Sequence, residues 1–148
     1  MKKLIALIIF GMCLTGCNAN TKSAFGESNE VIQEDNFSVA IKDCNITVTG
    51  VTKSKDNKSI AFIIQFENNS QETKKFTTTV TCKAFQNGTE LKGTLGPIEH
   101  SNSNLEIKPG ASIETAEAYT LQDDSSITLE FREAYKSEVV GAINYSIK

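Results

Sequence analysis

The sequence has no tryptophan, one histidine and two prolines in its 148 residues, and its formal net charge is a modest −3. A single histidine leaves a histidine-rich metal site or a histidine-based nucleophilic triad without its parts. The small charge, with no basic patch interleaved with aromatics, excludes a strongly basic nucleic-acid binder. The chain has no glycine-rich loop of the kind that cradles phosphate and no Gly-x-Ser-x-Gly elbow. It also lacks an apolar run of the roughly 18 residues that a spanning helix needs. A length of this order favours one domain. From this inventory we expect no cofactor, no metal and no enzymatic activity.

What is present begins at the N-terminus. Met1-Lys2-Lys3 is a short basic start, and the run from Leu4 to Leu14 is apolar apart from Gly11. This is the shape of a secretory signal. The tetrapeptide Leu14-Thr15-Gly16-Cys17 looks like a bacterial lipobox, in which the chain is cut just before a cysteine whose thiol carries a diacylglyceryl group. Residues 1–16 therefore read as a lipoprotein signal peptide and Cys17 as the lipidation site. Two acyl chains (palmitate or similar), at about 0.8 kcal/mol per buried CH₂, hold a protein stably on a bilayer where one chain does so marginally. Removing the leader takes two of the 15 basic residues against 18 acidic ones and moves the formal charge from −3 to −5. An anionic protein gains nothing from anionic headgroups, so lipid rather than charge should hold it. The expected location is the extracellular face of the cell membrane.

Residues 17–35 read as the lipidated cysteine and a polar linker, with a random-coil span of about 20–25 Å. Residues 36–148 form the expected domain. Its apolar residues alternate with polar ones, many of them β-branched or aromatic, as in half-buried strands. Phe37, Val39 and Ile41 share one phase; after Lys42-Asp43 the phase moves to Cys44, Ile46 and Val48, which suggests a bulge or a change of sheet. Ile60, Phe62, Ile64 and Phe66 make the clearest inward face, and Ala61 and Ile63 make that strand apolar on both sides. Phe76 to Ala84 reads as a strand whose opposite face, Thr77, Thr79, Thr81, Lys83 and Phe85, is solvated and flat, a surface suited to recognition. Asn87-Gly88 predicts a tight hairpin, and Lys108-Pro109-Gly110 a turn. Strands from Ala111 to Leu121, around Ile127 to Phe131 and from Val139 to Ile147 complete about seven. An all-β antiparallel sandwich follows from the spacing of strands and turns.

Several segments then support a resemblance: Phe66-Glu67-Asn68-Asn69-Ser70, Ala84 through Leu91, Ile107-Lys108-Pro109-Gly110 and Ala118 through Asp123. In this order they resemble an uncharacterised lipoprotein family of Gram-positive bacteria, a domain of unknown function. The resemblance covers about residues 36–133. It implies an immunoglobulin-like fold, related to the immunoprotective extracellular antigens of mycobacteria, and a surface location. It carries over no catalytic or ligand residue.

With Cys13 leaving in the signal and Cys17 lipidated, Cys44 and Cys82 remain. Export permits a disulfide between them, and closing that loop would contribute roughly 2–4 kcal/mol; the alternative is two separate buried thiols. His100, beside Glu99 in the loop from Gly93 to Asn104, has no partner motif for metal or base chemistry and reads as solvated. Asp123-Asp124 occupies a turn, where aspartate caps backbone groups, without the ligand ladder of a calcium loop. Glu117 shares the phase of Ile113, Tyr119 and Leu121 and so points a carboxylate inward, either as a functional group or as an edge-strand charge that blocks aggregation. Sequons such as Asn45-Ile46-Thr47 are compositional in a bacterial lipoprotein.

The function this supports is a membrane-anchored surface lipoprotein with a non-enzymatic binding or interaction domain. Its partners are the membrane, through Cys17, and an envelope protein, peptide or glycan meeting the Gly93–Asn104 loop or the threonine face. Two alternatives stand beside it: a small-solute or ion-binding lipoprotein, and an exclusion or immunity lipoprotein acting against phage or toxin.

Overall fold

A computed structural model of the chain describes residues 37–95 and 101–147. The signal peptide, lipobox, Cys17 and linker expected from sequence lie outside the described residues, as do Glu99 and His100.

Strand β1 (Phe37–Ile41) opens the fold, followed by β2 (Cys44–Lys53) and β3 (Ser59–Asn68). A single helical turn, α1 (Phe76–Thr79), precedes β4 (Val80–Gln86) and the two-residue β5 (Thr89–Glu90). The chain ends in β6 (Ser112–Thr120), β7 (Ile127–Glu133) and β8 (Val139–Tyr145). Two antiparallel four-stranded sheets result, in the orders β1-β2-β3-β6 and β5-β4-β7-β8. They pack face to face through inward side chains of both, among them Ile46, Ile60, Phe62, Ile64 and Phe66 from the first and Ala84, Ile127, Leu129 and Phe131 from the second. The all-β sandwich expected from alternation is the observed architecture, with eight strands among the described residues where about seven were expected.

Strand β3 lies between β2 and β6 and is buried on both faces. Its even-numbered residues from Ile60 to Asn68 are shut off from solvent in the core. Ala61 and Ile63 form a second small cluster with Ala116 and Ala118 of β6 on the other face.

Two local readings are corrected. The phase change at Lys42-Asp43 is neither a bulge nor a crossing between sheets. Both residues have positive φ, 49° and 59°, and make a two-residue turn that folds β1 back on β2 with Ile41 opposite Cys44. A hairpin turn of this hand matches the twist of its strands, and here it forms without glycine or asparagine. Further along, Phe76–Thr79 is helical. Phe76 turns into the core and meets Phe66 edge-on at 5.6 Å between ring centres, and Thr79 is buried. Burial of Phe76 overrides the strand preference of the threonine run. The flat threonine face therefore does not exist: only Thr81, Lys83 and Phe85 lie on β4.

The Asn87-Gly88 and Pro109-Gly110 turns form as expected, with φ of 49° at Asn87 and 76° at both glycines. Ala111 donates its N–H to the Lys108 carbonyl (3.1 Å) to close the second.

One flank of the sandwich is sealed by β1 against β8. Phe37 stacks on Phe131 at 5.6 Å. A Cβ on Gly141 would stand 3.0 Å from Val39 Cγ2 and 3.1 Å from Phe37 Cζ. Gly141→Ala should therefore cost about 1–2 kcal/mol through overpacking, read as a lower urea midpoint at unchanged slope. An unaltered midpoint would show that β1 yields freely there.

Candidate functional site

The opposite flank is built differently. Strand β6 is the outer strand of its sheet, and the chain after β5 runs along its edge in two places. Thr94 N–H donates to the Ala118 carbonyl and Thr120 N–H to the Lys92 carbonyl, both at 2.9 Å. Further down, Ser101 and Thr115 share a hydrogen bond between hydroxyls (3.2 Å), and Asn102 Nδ2 donates to the Glu114 carbonyl (3.2 Å). Between these attachments, at Ala116-Glu117-Ala118, lies a cleft of about 440 Å³. Small residues (Gly93, Ala116 and Ala118), the exposed Leu95 and the hydroxyl residues Thr94, Ser101 and Ser103 line it together with Glu117.

Glu117 is half-buried on the face of β6 that carries Thr115 and Tyr119. Opposite it in β3 stands Phe62. Burial holds its carboxyl up at about 7. Tyr119, two residues on, is only 4% exposed, and its hydroxyl has no hydrogen-bond partner. Burial, then the nearby Cys82, Glu117 and Glu90, push that hydroxyl far above its usual range. Across the sandwich the Cys82 thiol is pushed well up, by burial first and by Glu117 second. A carboxyl, a phenol and a thiol thus feel one another's charge at this flank, and no hydrogen bond joins them.

The other sequence candidates are placed as follows. Cys44 is buried and Cys82 half-buried, and no disulfide joins them in the structure. Cys44 sits opposite Asn68 at one end of β2 and its sulfur approaches Asn68 Oδ1 at 3.8 Å. Cys82 neighbours Glu117, which pairs with Phe62. Asn68 and Phe62 are six residues apart along β3, about 20 Å at strand rise. Burial raises Cys44 as well, against the lowering effect of Lys74. Asp123 caps its turn as predicted: it accepts from Ser125 N–H (2.8 Å) and the Ser125 hydroxyl and from Asn87 Nδ2 (3.0 Å). Hydrogen bonds from the Ser125 side chain and then its backbone hold the Asp123 carboxyl below its usual range. Among the described residues, no group of three or more His, Cys, Asp or Glu side chains could hold a metal ion.

A second cleft, also of about 440 Å³, gathers Lys42, Lys74 and Lys75 near α1. Each lysine is engaged by a glutamate: Lys42 with Glu133 (3.0 Å), Lys74 with Glu72 (2.8 Å) and Lys75 with Glu106 (3.6 Å). Its charge is locally balanced, and it offers an anion little.

Sequence reasoning found Glu117 but missed its company. Residues 117 and 119 share a phase that alternation reveals. The approach of Cys82 depends on which strands face each other, which alternation does not encode. It also passed over two buried amides. Asn68 Nδ2 donates to the carbonyls of Glu72 and Ile107, both at 2.8 Å, and its Oδ1 accepts from Ser70 N–H (3.1 Å) and the Ser70 hydroxyl (2.7 Å). Gln86 Nε2 donates to the carbonyls of Asp123 (3.0 Å) and Ser125 (2.9 Å), and its Oε1 accepts from Gln122 N–H (2.9 Å). These amides join the segments that carried the family resemblance: the Asn68 turn to the Ile107–Gly110 turn, and the Gln86 hairpin to the Gln122–Ser125 turn.

Comparison with known proteins agrees with that link. The family model of a domain of unknown function, DUF5067, matches residues 14–133. No curated protein matches the chain. Among solved structures, a candidate lipoprotein of Staphylococcus aureus superposes with a TM-score of 0.58 at 12% identity, over 80% of this chain and 92% of that one. A functionally unknown protein from Listeria monocytogenes gives 0.54 at 10% identity, over 82% and 87% of the two chains. A candidate lipoprotein of Bacillus subtilis gives 0.52 at 12% identity, covering 77% of this chain and 38% of that longer one. At such identities the likeness shows the fold alone.

Proposed function

Because the chain belongs to the DUF5067 family, we propose that it is a surface lipoprotein, fixed to the outer face of the cell membrane through Cys17, whose sandwich serves as a non-enzymatic binding module. The observation that carries this reading is Leu14-Thr15-Gly16-Cys17 at the end of an apolar run. The candidate lipoproteins among the structural relatives support it. No helix among the described residues is long and apolar enough to cross a membrane, so the proposed attachment rests on acyl chains. An immunoglobulin-like kinship belongs to the same reading and draws on the face-to-face packing of the two antiparallel sheets.

Growth with an alkyne-tagged fatty acid tests the anchor. The wild-type protein should take up the tag and sediment with membranes, while Cys17→Ala should lose the tag entirely and remain unprocessed. A Cys17→Ala protein that is still labelled would defeat the assignment.

Within this reading, one observation favours a small solute over a macromolecule as the bound species. The cleft at the β6 edge is concave, its volume lies toward the lower end of the range for small-molecule pockets, and it meets an inward carboxyl. The turn between β7 and β8 carries an exposed Tyr135 with a left-handed φ of 66° and a smaller cleft of about 300 Å³ lined by Glu133, Lys136, Ser137, Glu138 and Val140, which no inward carboxyl meets.

A further inference from the structure

Among the described residues, β1, β5, β6 and β8 are the outer strands of the two sheets. An outer strand presents backbone N–H and C=O groups to which another chain can pair, and short length, charge or a covering segment guards against this. Strand β5 is two residues long and carries Glu90. Strand β6 bears Glu114 and Glu117, and the backbones of Lys92 and Thr94 bond to its edge. Strand β1 has five residues and ends in the charged Lys42-Asp43 turn.

Strand β8 is built differently. Its seven residues, Val139–Tyr145, hold no charge and no proline. Among the described residues no backbone bonds to its outer edge from Val139 to Asn144. Its pairing with β7 shifts register between Val139 and Gly141, which bends the start of the strand and leaves the pairs from Gly141 onward regular. Val139 and Val140 are 41% and 47% exposed, and Ala142 and Asn144 are exposed too. Exposed apolar groups beside an open edge mark a contact surface.

The sequence along this edge indicates which chain fits it. Glu138 is followed by nine uncharged residues and then by Lys148. Against a second copy running antiparallel, the acidic end of each run comes beside the basic end of the other. The midpoint of the run is Ile143, so Ala142 of one copy faces Asn144 of the other across a two-fold axis. A parallel alignment would set like charges together at both ends. Glu138 is exposed and has no ion-pair partner among the described residues. The same arrangement lays Val139 and Val140 of each copy against Ser146 and Ile147 of the other.

We propose that the outer edge of β8 is a self-recognition surface, at which two copies join their four-stranded β5-β4-β7-β8 sheets into one continuous sheet. This goes beyond the small-solute reading and does not depend on it. An edge contact of this length is small beside the roughly 1,200–2,000 Å² that stable complexes bury. Association should therefore be weak in dilute solution, with a Kd of about 0.1 mM. It should become substantial where lipid holds the copies on one surface, at an effective concentration of about 1 mM.

The test places the whole lipidated chain in phosphatidylcholine vesicles and follows energy transfer between labelled copies as lipid dilutes the protein. Transfer should exceed that of random mixing and fall on dilution. Ala142→Lys, at an exposed position, sets like charges on either side of the two-fold axis; it should keep the parent's urea midpoint and lower association at least tenfold. Glu138→Lys or Lys148→Glu should each weaken association several-fold, and the double exchange should restore it. The register is read by oxidising Ala142→Cys and Asn144→Cys chains, with the parent as background for Cys44 and Cys82. A mixture of the two variants in the same vesicles should form disulfide dimers several-fold faster than either variant by itself. Transfer no greater than random at every dilution would overturn the proposal and leave the edge to a different chain. Association unaltered by Ala142→Lys, a double exchange that fails to restore it, or a mixture no faster than the single variants would overturn it equally.

Discussion

Asn68→Ala should lower the stability of the sandwich by about 2–4 kcal/mol, seen as a lower urea midpoint. The Asn68 side chain is completely buried and joins three parts of the chain. It donates to Glu72 and Ile107 and accepts from Ser70. Its backbone continues the clamp: Asn68 N–H donates to the Ala111 carbonyl (2.9 Å), and Gly110 N–H donates to the Asn68 carbonyl (2.7 Å). Alanine leaves a polar-walled void and strips the Ser70 N–H of its acceptor. The Ile107 carbonyl keeps one donor, the Lys74 N–H at 2.9 Å, so the loss falls short of a complete collapse of the turn. Asn68→Asp should be worse than alanine despite its closer shape. It loses both amide donors and faces the Glu72 and Ile107 carbonyls with a buried negative charge. A cost for alanine below about 1 kcal/mol, or an aspartate better tolerated than alanine, would refute the clamp.

The second large effect is one of pH. The Glu117 carboxyl is raised from 4.5 to about 7 by burial, so the folded state holds the proton more tightly than the unfolded chain does. The stabilisation this provides is complete below the unfolded value, near 4.5, and is lost as the pH rises through about 7. With allowance for partial solvent access, the loss is about 2–3 kcal/mol. Glu117→Gln has no proton to lose. Its stability relative to the parent should therefore grow between pH 4.5 and pH 8 and then level off, as followed by urea melts of both proteins across that range. Parallel pH profiles for the two proteins would rule out the buried carboxyl as the cause.

Where the chain followed simple periodicity, the fold was legible. The alternation from Ile60 to Phe66 located the most buried strand, and asparagine and proline before glycine located two turns, because each pattern has one local geometry that satisfies it. Where a turn was made partly by a residue with no preference for it, reading failed. Asp43 tolerates positive φ, but Lys42 adopts it because pairing of β1 with β2 demands it, and nothing in the lysine side chain announces that. The Thr77–Thr79 run failed for the opposite reason. Its local preference was clear and wrong, because burying Phe76 against Phe66 outweighed it. The buried amides were legible in principle. Asn68 lies in phase with Phe66 and Gln86 in phase with Ala84, so each was a polar residue at an inward position. Their partners, nearly forty residues further along the chain, could come only from the fold.

The hairpin at the start of the domain also decides how the fold would respond to tension. A pull arriving from the N-terminal side enters at Phe37, paired with Val48, while the turn at Lys42-Asp43 lies at the far end of the same ladder. Tension along that line opens the β1–β2 pairs one after another, as a zipper does, rather than loading them all together. The initial resistance is the Phe37–Phe131 stack and the seat of Val39 on Gly141. Once these give way, β1 peels off and uncovers the flank of β8. The remaining strands hold their mutual pairing, including β3 with β6, the strand that bears Glu117. For a domain held at one end, the sacrificial strand and the cleft are on opposite flanks, so mechanical yielding at the tether would leave the Glu117 flank intact.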